Sequence, residues 1–599
     1  MIFTFWSIVF VLVSTLSPTY SLSSSRLRLR GDSAWKRALD SPNASAAAKA
    51  TREAHSFYSE AYQSASVSDL IFKASCFYEA AYTSAVGALI KEQPLRSEVS
   101  RVLQNELTST AKRDCSVSSE SHVAAKSNNI SSSNCLGHSQ ISQLVALSML
   151  DAKDLLLVSK AWASDRSVDV RGKEVERQHA IQKRPNEKRM RVGFISASFG
   201  DHPVGHHITP LLLNLNRSSF EVFCFYSPLF GRIDKDTTFL DINKAACDTW
   251  IELEGEREKI DASNDISYSS SEKSARLISN VNLNVLISID GFDKGNRMDI
   301  LSLRPTNCIL SFFGYLATSG ADYIDGIIAD EISIPFGDET FYSERFILRH
   351  PITFFVNNYR QIHPEIIQVN ALTQIDVGSM HSDLSKENQS SFSFTFCSFS
   401  QLFKVSRDTA NAWISIMQNT SNSTKLVLLG YPPTGMPNLE HYFQSKGLGH
   451  RIEFLPILPR NQHLLRKREL CSLGLDTFYY NGHTTVADLL WAGVPVLTFA
   501  APNVTMAGKA AASLIKAAGA PKLFYGALSI EEYTQRAIYI ERAYMRKKSG
   551  ALDEETREEL FWRPSRSSEL FQIEKWVQGF EKILREGEMK CIEGMHTTT

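Results

Sequence analysis

The chain has 599 residues, 43% of them hydrophobic, and a formal net charge of −1. That length suits roughly three to four domains with buried cores, and the even charge excludes the basic footprint of a nucleic-acid-binding protein. The nine cysteines are scattered without CxxC spacing, which excludes a zinc ribbon or dithiol redox motif.

Residues Ile2 to Leu16 are almost wholly apolar. The run suits a secretory signal peptide better than a membrane span, although no basic segment precedes it. A leader over 1–22 is therefore expected, followed by a transit-like or disordered stretch over 23–44 with Arg26, Arg28 and Arg30 among Ser and Ala. It predicts entry into the secretory route or an organelle, the alternative being a nucleocytoplasmic protein. The sequons at Asn43, Asn129, Asn216, Asn388, Asn419, Asn422 and Asn503 point the same way, though Ser-rich chains also produce sequons by chance.

Residues 45–165 read as helical. Ala54, Tyr58, Ala61 and Tyr62, then Phe77, Ala80, Ala81 and Ala85, recur at spacings of three and four. The small and aromatic residues alternate as in helical repeats, without a 34-residue period. A Ser/Asn-rich linker over 114–139 separates these helices from another over about 141–163, with Leu144, Leu147, Leu150, Leu155 and Leu157 near one stripe.

From Arg191 the pattern becomes α/β. Strand candidates are Arg191–Ser196, Phe220–Tyr226, Asn284–Ile289, Cys308–Phe313 and Gly326–Ala329, then Phe394–Phe399, Lys425–Leu429, Arg451–Leu455, Leu473–Leu475 and Val494–Phe499. These runs lack polar alternation, as strands buried on both faces do. Two βα series imply two doubly wound domains. Cys224, Cys308 and Cys397 lie in such runs and read as small buried hydrophobes. An amphipathic helix from Leu570 to Leu584 closes the chain and is expected to dock on the core.

Four segments carry chemistry, each just after a strand, where doubly wound folds bind ligands. Phe199 to His207 holds His202 and His206. His202 is the better candidate, because Pro203 fixes it at a helix entry, though a loop histidine is often structural. Ser400 to Lys404 places Lys404 where it can meet a phosphate. Pro459 to Arg466 sets His463 and Arg466 on one helical face with Arg460 a turn earlier, for an anion or a stacked ring; a solvated basic turn explains it equally. Tyr480 to Asp488 offers Thr484 or Thr485 as helix cap, backbone N–H groups for a diphosphate, and Asp488 one turn in. Asp234 and Asp236 spell a DxD motif but read as a solvated turn.

The strings RVGFISASFGDHPVGHH, LRPTNCILSFFGYLATSGADYIDGIIAD, FYSERFILRHPITFF, FCSFSQLFK, RIEFLPILPRNQHLLR and LDTFYYNGHTTVADLLWAGVPVLT, over roughly 190 to 515, resemble in content and order the catalytic region of protein O-GlcNAc transferases. The resemblance implies a GT-B glycosyltransferase of two Rossmann-like domains, over 187–355 and 393–560. A short insertion lies between them at 356–392, and a docking helix follows at 565–590. The helices before them would be a degenerate tetratricopeptide-like region offering protein–protein contacts. It further implies inverting transfer of GlcNAc from UDP-GlcNAc to Ser or Thr hydroxyls of proteins, with no metal, no other cofactor and no nucleic acid.

By the same resemblance His202 lines the sugar site as a catalytic residue, and Lys404 stabilises the leaving diphosphate. Gln401 contacts diphosphate and sugar, and His463 packs on the uracil. Leu458, Arg460 and Arg466 surround the nucleoside. His483, Thr484 and Thr485 form the phosphate turn, and Asp488 binds the ribose. The chain departs from the family at Leu316-Ala317, at Tyr480, at Asn503 to Lys509, and around Val281 and Asn284. A related O-fucosyltransferase using GDP-fucose and a nucleotide-sugar-binding pseudoenzyme are the competing readings.

Overall fold

A computed structural model describes residues 150–167, 189–228, 237–254, 269–293, 295–363, 394–431, 433–500, 504–546 and 558–596, with a few isolated positions before 150. The leader, most of the expected repeat region, the DxD motif and the sequons at Asn43, Asn129, Asn388 and Asn503 lie outside the described residues. The chain divides into two compact units. The first is built on Leu155–Pro364 with Arg566–Thr599, the second on Glu365–Lys516 with Ala520–Ser565.

The first unit holds seven strands: β1 Met190–Ser196, β2 Phe220–Tyr226, β3 Thr249–Glu252, β4 Val285–Ser288, β5 Ile309–Ser311, β6 Gly326–Asp330 and β7 Phe346–His350. They form one sheet in the order β3-β2-β1-β4-β5-β6-β7, and every adjacent pair is parallel. β1 and β2 stay in register from Met190 opposite Phe220 to Ser196 opposite Tyr226. All four residues of β4 are buried, as covering a parallel sheet on both faces requires. The sequence reading missed β3 and β7. These are the edge strands: β3 has no buried residue, and β7 has only Phe346-Ile347-Leu348 before it turns polar at Arg349 and His350.

One face of this sheet is covered by the chain's end. The helix Ile573–His596 buries Ile573, Trp576, Val577, Phe580, Ile583 and Leu584 in the core formed by Val192, Phe194, Val222, Val285, Ile287 and Leu310. Each such side chain contributes about 1.5–3 kcal/mol of gross burial free energy. Trp576 donates its indole N–H to the Thr353 carbonyl at 2.8 Å and stacks on His350 at 4.6 Å between ring centroids. Burial lowers the His350 pKa to about 4, so its ring is neutral at pH 7. A Cβ at Gly579 would meet His350 Nε2 at 2.8 Å, so this helix approaches only because glycine stands there.

The helix Ala152–Arg166 also packs on the first unit. Trp162 meets Phe292 edge-on at 5.1 Å, and Tyr323 donates its hydroxyl to the Ala163 carbonyl at 3.3 Å. Gly320 sits at φ +69, and a Cβ there would meet the Ser159 carbonyl carbon at 2.0 Å. A segment whose spacing groups it with the preceding helices thus joins the α/β core.

The second unit has five parallel strands: β8 Thr395–Ser398, β9 Lys425–Leu429, β10 Ile452–Leu455, β11 Leu473–Leu475 and β12 Val496–Leu497. Their order is β10-β9-β8-β11-β12. The helix Arg407–Gln418 starts where the Ser406 hydroxyl accepts from the Thr409 N–H, and it buries Ala410, Trp413, Ile414 and Met417 at helical spacing. Trp413 donates to the Tyr533 hydroxyl at 3.3 Å, and Tyr533 donates in turn to the Asp476 carbonyl at 3.2 Å.

The cysteine reading needs correction. Cys224, Cys308 and Cys397 are buried, but each is half of a disulfide: Cys224–Cys247, Cys308–Cys591 and Cys397–Cys471. The pairs span 23, 283 and 74 residues. No local spacing could mark them, because parallel pairing and the returning helix bring the partners together.

Candidate active site

In both sheets the strand order reverses beside the first strand of the series, between β1 and β4 and between β8 and β11. Such switch points open a crevice beyond the carboxyl ends of the strands, and the singled-out residues fall there. His202 belongs to the first unit. Gln401, Lys404, Leu458, Arg460, His463, Arg466, His483, Thr484, Thr485 and Asp488 belong to the second.

At the first switch point His202 is the N-cap of the helix Pro203–Asn214, and Pro203 opens that helix. Its Nδ1 accepts from the Val204 N–H at 3.3 Å, and its Nε2 lies 3.7 Å from Asp293 Oδ2 in the loop after β4. Asp290, in the same loop, accepts from the Ser196 hydroxyl at 2.6 Å and the Ala197 N–H at 2.7 Å. Burial raises the Asp290 pKa to about 7 against the pull of those two hydrogen bonds. A Cβ at Gly205 would meet the Gly200 carbonyl at 2.2 Å, so the loop folds tightly over the helix start. His206 is occupied elsewhere: it meets Asp201 at 2.9 Å and packs on Phe239 at 3.8 Å. Asp290 and Asp293 were not singled out from sequence. Their one signal is a carboxylate pair just past a buried strand.

At the second switch point Gln401 is exposed, and a 3-10 turn over Leu402–Lys404 follows it. The Lys404 ammonium donates to the Asn481 carbonyl at 3.2 Å and lies 3.7 Å from the centre of the Tyr480 ring. Burial lowers its pKa to about 8, against the attraction of Asp476. Asp476, just past β11, accepts from the Gly482 N–H at 2.8 Å and the Thr498 hydroxyl at 2.7 Å, and burial raises it to about 7. A Cβ at Gly482 would meet Thr485 Oγ1 at 2.6 Å, so only glycine fits this turn. Asn481 donates its amide to the Gly508 carbonyl at 2.7 Å and accepts from the Ala511 N–H at 3.2 Å.

The expectation that Thr484 or Thr485 caps the following helix is not met. His483 occupies the N-cap without a side-chain cap bond, and the helix Thr484–Trp491 begins with the two threonines. The first-turn N–H groups therefore carry no side-chain acceptor from the N-cap, which suits an anion. His483 Nε2 lies 3.2 Å from the Ala507 carbonyl. Gly493 ends the segment at φ +81, as its position in the sequence suggests.

The helix Arg460–Leu470 supplies the remaining residues, with Leu458 half-buried just before it. His463 Nδ1 accepts from Arg466 at 2.8 Å, and its ring meets Phe399 edge-on at 5.0 Å. Burial, then Lys467 and Arg466, lower the His463 pKa to about 4, leaving a neutral aromatic surface at pH 7. Asp488 lies 2.7 Å from Lys467 Nζ and 3.5 Å from Arg460. Lys467 is wholly buried, and burial pulls its pKa down while Asp488 opposes. The sequence reading missed Lys467, although it lies four residues after His463 on the same helix face. Among the described residues, Cys308, Asp325 and Cys591 come within metal-ligand distance of one another. The two sulfurs are already bonded, and Asp325 is held by Arg304 and Arg345.

These two sites sit in a chain that matches Glycosyl transferase family 41 over residues 167–392 and 385–580. The chain belongs to this family. It is 31% identical over 399 residues to the Arabidopsis thaliana "Probable UDP-N-acetylglucosamine--peptide N-acetylglucosaminyltransferase SEC", covering 66% of this chain and 36% of that protein. It is 24% identical to the Caenorhabditis elegans "UDP-N-acetylglucosamine--peptide N-acetylglucosaminyltransferase", covering 68% of this chain and 42% of that one. The chain thus spans about two fifths or less of the length of these relatives. The fold matches that of a Thermobaculum terrenum O-GlcNAc transferase mutant with a TM-score of 0.60, at 18% identity, over 98% of this chain and 94% of that one. The GT-B glycosyltransferase fold expected of this family 41 member, with parallel α/β sheets in two Rossmann-like domains, is therefore present.

Proposed function

We propose that this family 41 chain is an inverting, metal-independent glycosyltransferase that moves GlcNAc from UDP-GlcNAc to Ser and Thr hydroxyls of proteins. The observation that carries the reading is the second switch point. There Lys404, held by Asn481 and Tyr480, lies in the loop after β8, and the start of the helix Thr484–Trp491 follows the turn after β11. In such a transfer the acceptor oxygen bonds the anomeric carbon from the face opposite the diphosphate. The carbon–oxygen bond to the diphosphate breaks, and negative charge grows on the departing phosphate. A half-buried ammonium and helix N–H groups stabilise that charge most in the transition state. They also supply the positive charge that other glycosyltransferases take from a divalent ion.

The remaining residues of the second unit suit the nucleoside. The neutral His463 ring offers a face for the base, and Arg460 and Arg466 provide donors around it. Asp488, held by Lys467 and Arg460, presents a fixed carboxylate to a ribose hydroxyl. In the first unit His202 accepts the Val204 N–H at Nδ1, so its neutral ring carries the proton on Nε2. This favours a hydrogen-bond donor beside Asp293 over a lone general base.

The test is a donor panel of UDP-GlcNAc, UDP-GalNAc and GDP-fucose, scoring nucleoside diphosphate release and sugar transfer to a peptide mixture. Turnover with UDP-GlcNAc alone is expected. Turnover with GDP-fucose would move the chain to the fucosyltransferase branch. Donor binding without turnover would make it a pseudoenzyme.

A further inference from the structure

We propose that this protein matures in an oxidising, glycosylating lumen, where its three disulfides close and N-linked glycans are attached at Asn216 and Asn422. The two observations are independent. The first is the cysteine pairing. The disulfides Cys224–Cys247, Cys308–Cys591 and Cys397–Cys471 have Cα–Cα distances of 6.0, 5.5 and 5.8 Å, the separations such bonds favour. They occur in both units, join positions up to 283 residues apart, and none lies in a CxxC redox motif. A chain kept reduced gains nothing from such pairing, because buried thiols need no partner. A metal reading of Cys308 and Cys591 fails because Asp325, the third donor, is spent on Arg304 and Arg345.

The second observation is where the described sequons lie. Asn216 is exposed in the connection between the helix Pro203–Asn214 and β2. Its Oδ1 accepts from the Ser218 N–H at 3.0 Å and the Ser218 hydroxyl at 2.7 Å, so the sequon closes on itself with the asparagine at the surface. Asn422 is exposed in the connection before β9. Its sequon's Thr424 is anchored inward on Glu541, so a sugar on Asn422 would extend from the surface without disturbing that buried contact. Asn419, three residues earlier, uses its side-chain amide to cap the helix Arg407–Gln418 by donating to the Ser415 carbonyl at 2.9 Å, and is expected to stay unmodified.

Each disulfide forms by exchange with an oxidised dithiol protein. Two thiols lose two protons and two electrons, and the partner leaves as its dithiol. At Asn216 and Asn422 the amide nitrogen bonds the anomeric carbon of a lipid-diphosphate-linked oligosaccharide. A proton and the lipid diphosphate leave. Resting additionally on the proposed transfer, the acceptors would be proteins of the same lumen, supplied with imported nucleotide sugar.

The test needs no activity measurement, so its failure is distinct from failure of the transferase reading. The full chain, with its own N-terminal segment, is produced in a eukaryotic host. One sample is digested with peptide N-glycosidase in heavy-oxygen water and its peptides are weighed. A second is unfolded and treated with a maleimide mass tag before and after reduction. Expected are heavy-oxygen deamidation at Asn216 and Asn422 but not Asn419, and tagging of the six paired cysteines only after reduction. Unmodified Asn216 and Asn422 peptides overturn the glycan sites. Tagging of those six cysteines without reductant overturns the oxidising compartment.

Discussion

The two switch points are built alike and charged in opposite senses. In each, a buried carboxyl just past the neighbouring strand ties the loops together and is pushed up to about 7: Asp290 in the first unit and Asp476 in the second. Each accepts a hydroxyl and backbone N–H groups, Ala197 for Asp290 and both Gly482 and Thr477 for Asp476. The difference lies in what each carboxyl faces. Asp476 faces Lys404, with Arg460 and Lys467 farther along the same unit, whereas Asp290 faces a second carboxylate, Asp293, which lies beside His202. One scaffold therefore prepares a cationic cradle in one unit and an acid–imidazole pair in the other. The first suits an anionic leaving group, the second a hydroxyl whose proton must be held.

The sharpest way to break this contrast is to remove the cradle's mobile-proton cation. Lys404→Ala is expected to lower kcat by roughly 100- to 1,000-fold, about 3–4 kcal/mol of transition-state stabilisation, with a smaller change in UDP-GlcNAc affinity measured by calorimetry. Near-normal turnover would mean that Lys404 does not meet the leaving group.

The same lysine sets a pH limit. With its pKa lowered to about 8, Lys404 is charged below that pH and loses its proton above it. For the unliganded enzyme kcat/KM should therefore fall about tenfold per unit above pH 8. The decline in kcat should begin later, because bound diphosphate holds the proton on. Profiles from pH 6 to 10 at matched ionic strength decide this, and a flat kcat/KM limb above 8 would contradict it.

At the other switch point the effect should be milder. Asp293→Asn keeps the shape but removes the charge 3.7 Å from His202 Nε2. A half-exposed pair of this kind is worth at most about 1 kcal/mol, so kcat should drop about fivefold or less while donor affinity is unchanged. A loss as deep as that of Lys404→Ala would place proton transfer, not leaving-group charge, at the limiting barrier. The smallest expected effect is from chelation: initial rates in excess EDTA should equal the untreated rates, because Lys404 and the Thr484 helix start carry the positive charge. A strict manganese requirement would return attention to Asp234 and Asp236.

Much of this was legible in the chain itself. Buried parallel strands write themselves as uninterrupted apolar runs, so β2, β9 and β11 match their sequence boundaries. The loops after β1 and β11 were found because Gly, Pro and His break those runs at the ends where ligands bind, and the loop after β8 because Lys404 stands just past the strand. The strands β3 and β7 were not, since β3 has no buried residue and β7 follows its three apolar residues with Arg349 and His350. Nor were Asp290, Asp476 and Lys467. A lone charged residue near a strand or on a helix looks solvated until its partners are known, and those partners are 6 to 94 residues distant.

Local order, in short apolar runs and turn residues, thus determined that this chain forms two doubly wound units with polar loops at the ends of their strands. Tertiary structure alone decided that the last helix returns to the first unit, that the helix Ala152–Arg166 joins it, and that six dispersed cysteines meet in three pairs. The reason is range: backbone periodicity acts over a few residues, whereas burial of a helix face or a sulfur is settled by whichever surface the completed sheet leaves uncovered.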